Sequence, residues 1–110
     1  MATIDSLRKV ALALPGVEEG TSYGALAFKS AGRVFACIAT NKSAEPGTLM
    51  IRMDDEQRDE LIAADPEVYY LKEHYAGYHC VLIRLAKIHS DALRDLLAGG
   101  RRFVLKQKKK

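Results

Sequence analysis

Residues 65–85, DPEVYYLKEHYAGYHCVLIRL, decide how this chain is read. The segment opens on Asp65-Pro66, a stop for any preceding helix, and passes through four tyrosines and two of the chain's three histidines before ending in an apolar run. Residues 68–72 and 80–85 have the β-branched and aromatic composition of strands, joined by a turn at His74-Tyr75-Ala76-Gly77. Successive strand side chains point to opposite faces, so Val81, Ile83 and Leu85 share one face while Leu82 and Arg84 take the other. Such alternation predicts an antiparallel sheet with helices packed on one side.

Working outward, Ile4, Leu7, Val10, Ala11 and Leu14 recur at helical spacing over residues 3–14, and Pro15-Gly16 ends that helix. The stretch VEEGTSYG at 17–24 reads as a loop, because small polar residues and glycine dominate it. Residues 26–30, a hairpin turn at Ala31-Gly32, residues 33–40 and residues 48–53 predict a three-stranded meander. Asp54 caps a second helix reaching about residue 64, with Gln57 placed as in a capping box. Ser90 caps the last helix, whose inner face holds Leu93, Leu96 and Leu97; Gly99-Gly100 is expected to break it, with a further helical turn or two over 101–106. The order is α-β(3)-α-β(2)-α, a two-layer α+β fold with one antiparallel sheet and its helices on one face.

The chain has 110 residues, 48% hydrophobic and 28% charged, which suits one folded domain over 1–105 followed by a basic tail at 106–110. The net charge of +3 belongs to that tail: without its four lysines, 13 basic residues face 14 acidic ones. No apolar run reaches membrane-spanning length, and the N-terminus lacks a signal-peptide layout, so a cytoplasmic location is expected. Cys37 and Cys80 both lie in apolar strand-like runs and read as buried, reduced thiols.

Two groups of residues suggest recognition. Lys29, Arg52 and Arg84 fall on the alternate, outward positions of three strands, and with Arg33 they make the open sheet face a candidate surface for nucleic acid, another anion or an acidic protein. If the strands are not adjacent, each side chain instead extends over apolar neighbours such as Met50 and Leu82 into water. Tyr23, His74, Tyr75 and Tyr78 form the second group, a possible pocket or turn. His79 and Cys80 are consecutive and should point to opposite faces, so no metal site is expected, and no cofactor motif is present. No nucleophile, base and orienter align, which leaves a protein-interaction module, homodimeric or chaperone-like, as the alternative to anion binding.

The series ALALPGVEEGTSYG at 11–24, AFKSAGRVFA at 27–36 and ADPEVYYLKEHYAGYHCVLIRL at 64–85, followed by ALRDLL, resembles the MmcQ/YjbR-like proteins, small bacterial domains mostly of unknown function. The resemblance implies a fold similar to that of type III secretion chaperones and a predicted "double wing" mode of DNA binding. It supplies no catalytic residues. Related sequences often have proline-tryptophan where this chain has His79-Cys80.

Overall fold

The computed structural model describes residues 2–106. Of the basic tail, Lys106 ends the last helix, while positions 107–110 lie outside the described residues. Helix α1 (Ile4–Leu12) starts where the Thr3 hydroxyl accepts a hydrogen bond from the Ser6 amide and the Ser6 hydroxyl accepts one from the Thr3 amide, satisfying two otherwise free N–H groups. It buries Leu7 and Ala11. Strands β1 (Val17–Ser22), β2 (Ala25–Ser30), β3 (Arg33–Ile38) and β4 (Thr48–Arg52) follow, then helix α2 (Asp55–Ala64), strands β5 (Tyr69–Tyr70) and β6 (Cys80–Arg84), and helix α3 (Ser90–Lys106). Between β5 and β6 runs a 3-10 helix, Glu73–Tyr78.

The six strands form one antiparallel sheet in the order β1-β2-β3-β4-β6-β5. The α+β class and two-layer arrangement are as the alternation predicts, with one strand more. The segment 17–24 is not a loop: residues 17–22 pair with β2 from Val17↔Ser30 to Ser22↔Ala25, leaving Tyr23-Gly24 as a two-residue turn. An edge strand needs no apolar face to be held by its backbone ladder, so its polar composition concealed it. Glu19 is fixed from the helix side by Arg8 of α1 through hydrogen bonds of 2.9 and 3.1 Å.

Register produces two faces. Phe28, Ala36, Ile51 and Val81 form a cross-sheet row in the main core, where they meet Leu7, Leu93, Leu97 and Val104 from α1 and α3. Burying each large apolar side chain contributes about 1.5–3 kcal/mol. Ala27, Cys37, Met50, Leu82 and Tyr70 form the parallel row on the other face.

That other face is not bare. Leu82 is completely buried and Met50 partly so, because the segments 39–47 and 71–78 fold back over it and bring Tyr75, Ala39, Ala44 and Leu71 into a second small cluster. Helix α3 also departs from the sequence expectation by running unbroken through Gly99-Gly100. At Gly100 it lies so close to the sheet that an added Cβ would stand 2.8 Å from Ile51 Cγ2 and 3.2 Å from the Arg52 carbonyl oxygen. The absence of a side chain there permits the contact, and packing of the apolar helix face offsets the weak helix propensity of glycine. Among the described residues no helix is long and apolar enough to cross a membrane.

Candidate functional site

Residues 39–41 and the 3-10 helix wall a partly open cavity of about 440 Å³ on the second face of the sheet. Cys37 and Ile38 of β3 and Met50 of β4 contribute apolar lining, and residues 39–41 continue it from the end of β3. Ser22 and Tyr23 approach from the β1–β2 turn, His74, Tyr75 and Tyr78 from the 3-10 helix, and Arg52 from the end of β4. All four residues of the aromatic group expected from the sequence therefore meet in one place. Among the described residues, those that line the cavity include no carboxylate.

The rings form a corner rather than a stack. His74 meets Tyr75 edge-on, with centroids 4.9 Å apart and planes at 83°, and Tyr78 lies 6.1 Å from His74 and 6.3 Å from Tyr75 at intermediate tilts. Tyr75 also braces the segment that closes the cavity: its hydroxyl accepts the Asn41 amide at 3.2 Å. The Tyr70 hydroxyl accepts the Glu45 amide at 2.9 Å and bonds the buried Thr48 hydroxyl. The Thr48–Tyr70 bond is buried and the other two are partly so, and together they tie the 39–47 segment to the aromatic residues.

Tyr23 stands opposite. With φ of 52° at Tyr23 and 79° at Gly24, the turn is of the mirror-image type whose twist matches the flanking strands. A left-handed conformation costs a residue with a Cβ about 1–2 kcal/mol, yet the position holds a tyrosine that is 92% exposed.

The four basic residues are dispersed. The pairing Thr48↔Arg84 and Arg52↔Cys80 puts Arg84 and Arg52 at opposite ends of the β4–β6 pair, about 13 Å apart at the usual strand rise, and Lys29 lies two strands away from β4. Arg84 is bound bidentately by Glu45 at 2.9 and 2.7 Å, donates to the Pro66 and Glu67 carbonyls, and covers the Tyr70 ring at 4.3 Å. It thus fastens the 39–47 segment to the chain before β5. The same hydrogen bond holds the Glu45 carboxyl below the usual carboxylate range. Arg33 donates to the Val104 carbonyl at 2.8 Å, satisfying a free acceptor near the C-terminal end of α3. Lys29 extends over Gly20.

Arg52 differs from these. It stacks on Phe103 of α3, with its guanidinium carbon 5.5 Å from the ring centroid, and makes a long 3.4 Å contact to the His79 carbonyl. Among the described residues no carboxylate lies within ion-pair distance of it. Sequence alternation groups Arg52 with Lys29 and Arg84, and the fold adds that it lines the aromatic cavity while they do not. Met50, Cys37 and Asn41 were missed as lining because nothing in their local sequence separates a cavity floor from a core.

His79, with φ of 52°, precedes β6 rather than lying within it, and its ring nitrogen is 3.0 Å from the Asp55 carboxylate. That hydrogen bond, reinforced by the charge of Arg58, lowers the Asp55 pKa. Burial pushes the thiols of Cys37 and Cys80 up to about 11, so both are protonated at neutral pH. Among the described residues no three His, Cys, Asp or Glu side chains converge as a metal would require.

Comparison with known proteins agrees with the resemblance seen in the sequence. The model of the YjbR family matches residues 12–102. A crystal structure of a Deinococcus radiodurans protein with a DUF419 domain superposes with a TM-score of 0.79 at 28% identity, covering 100% of this chain and 83% of that one. No curated protein matches the chain.

Proposed function

The chain belongs to the YjbR family, and we propose that it is a non-enzymatic binding module receiving an anion in the aromatic cavity on the second face of its sheet. The observation that carries this reading is Arg52, which lines a cavity with no acidic residue in its lining and whose guanidinium, stacked on Phe103, has no carboxylate partner among the described residues. Aromatic walls alone would suit a cation, which they attract by about 0.5–2 kcal/mol. Arg52 reverses that preference, since two like charges roughly 6 Å apart at an effective dielectric near 20 repel by about 3 kcal/mol. The protonated Cys37 offers no ready nucleophile, which supports binding rather than turnover.

Nucleic acid and small anions both fall within this reading. The wide spacing of Lys29, Arg33, Arg52 and Arg84 and the near-neutral charge of residues 1–105 support a small anion, or a single phosphate contact, over a duplex laid across the sheet. Titrating isotope-labelled protein with inorganic phosphate should shift the amide signals of Tyr23, Cys37 and Arg52, and Arg52→Gln should abolish the effect. Shifts confined to the helix-covered face, or unchanged in R52Q, would refute the proposal. Parallel titrations with single-stranded and duplex oligonucleotides measure the nucleic-acid component.

A second reading has its own observation. Tyr23 and Tyr78 are 92% and 52% exposed at the cavity rim, and tyrosine is among the residues that anchor protein interfaces. It makes the same surface a docking site for a second copy or for an acidic protein facing Arg52. Sedimentation at high concentration, wild type against Tyr23→Ala, reads self-association directly.

A further inference from the structure

We infer that the anion taken by this cavity is a flat aromatic acid, one or two fused rings bearing a single carboxylate or phosphate. The inference rests on the anion reading above and adds the body of the ligand to its charge.

Size gives the first argument. A cavity of about 440 Å³ falls within the range of small-molecule sites and far exceeds what a bare phosphate fills. The second is its polarity. Register sets Arg52 two residues beyond Met50 toward the start of β3, whereas the Tyr23 turn adjoins Ala25, beside the other end of β3. Charge and the exposed Tyr23 ring therefore lie toward opposite ends, with Cys37 and Met50 between them. A ligand complementary to that layout has an acidic head and an apolar body.

Flatness follows from the rings. His74, Tyr75 and Tyr78 are inclined to one another at 83°, 54° and 59° rather than stacked, and while Tyr75 is buried, His74 and Tyr78 stay exposed beside the cavity. Tyr23 supplies a fourth ring from the far side. Ala31 adopts the same left-handed conformation in the next hairpin, so the fold tolerates that backbone. What distinguishes residue 23 is a large side chain, 92% exposed, held at a strained turn beside a cavity. A planar ring inserted between Tyr23 and the opposite corner would cover both surfaces.

The test uses the full chain and four probes in calorimetric and NMR titrations: naphthoate, its saturated counterpart decalin carboxylate, the neutral naphthylmethanol, and inorganic phosphate. Naphthoate should bind at least about tenfold more tightly than decalin carboxylate. Tyr23→Ala should weaken naphthoate by at least about fivefold, the low end of what one aromatic stacking partner supplies. Tyr23→Phe should retain naphthoate binding, and Arg52→Gln should reduce naphthoate toward the level of naphthylmethanol. Equal affinity for the flat and saturated acids, or an unchanged Tyr23→Ala variant, overturns the inference while leaving the anion reading intact. Absence of any acid or phosphate from the cavity overturns both. Arg52-dependent binding of a single-stranded oligonucleotide without binding of naphthoate also overturns it, by assigning the rings to a nucleic-acid strand.

Discussion

Adjacent glycines in α3 should respond oppositely to the same added methyl group. Replacing either Gly99 or Gly100 with alanine gains about 0.8–1 kcal/mol of helix propensity. At Gly99 the new Cβ finds only the flexible tip of Arg102 at 3.9 Å, so Gly99→Ala should be stabilising by nearly the full amount. At Gly100 it would lie 2.8 Å from Ile51 Cγ2, 3.2 Å from the Arg52 carbonyl and 3.4 Å from the Phe35 carbonyl. Ile51 is completely buried and β-branched, and the two carbonyls belong to the sheet, so none of the three can swing aside. Overpacking of this kind costs about 1–3 kcal/mol. Because the propensity gain is common to both variants, the difference between them isolates the clash: Gly100→Ala should be less stable than Gly99→Ala by about 1–3 kcal/mol, or roughly 4–12 °C in melting temperature. Urea titration of the two variants beside the wild type measures it. Equal stability would show that α3 can lift from the sheet freely and that the close approach at Gly100 does not constrain the fold.

Two further predictions concern ionisation. The Glu45 pKa is depressed by its hydrogen bond to Arg84, so its contribution is present above the unfolded value, near 4.3, and is lost as pH falls through the folded value; NMR titration should place Glu45 below an exposed glutamate, and Arg84→Gln should return it to the ordinary range. Cys37 and Cys80, with thiols near 11, should alkylate at neutral pH at least about a hundredfold more slowly than a free thiol, with Cys37 reacting before the fully buried Cys80 because it lines the cavity; rapid labelling of both in native protein would contradict their burial.

The fold was legible wherever a segment has one buried face. Alternation in 80–85 identified the core-facing set Val81, Ile83 and Leu85, and helical spacing identified Leu93, Leu96 and Leu97. Strand β1 was not legible, because an edge strand held by its ladder can be polar throughout. Nor was the continuity of α3, since Gly100 looks like a breaker until the distance to Ile51 is known. For the site, composition pointed to Tyr23, His74, Tyr75 and Tyr78, which the fold does bring together. It could not separate Arg52 from Arg84: both occupy outward positions of strands, and only their partners distinguish a carboxylate-bound clamp from an arginine stacked on Phe103 beside a cavity.

The sequence by itself determined the layers of this protein and which residues face between them, because periodicity is a local property that burial enforces residue by residue. Tertiary structure decided what the second face of the sheet became. Folding back of 39–47 and 71–78, fastened by the Tyr70 and Tyr75 hydroxyls and by Arg84 on Glu45, turns a flat surface into a walled, partly open cavity. Those contacts join residues more than 20 positions apart, with partners set by strand order rather than by neighbouring sequence.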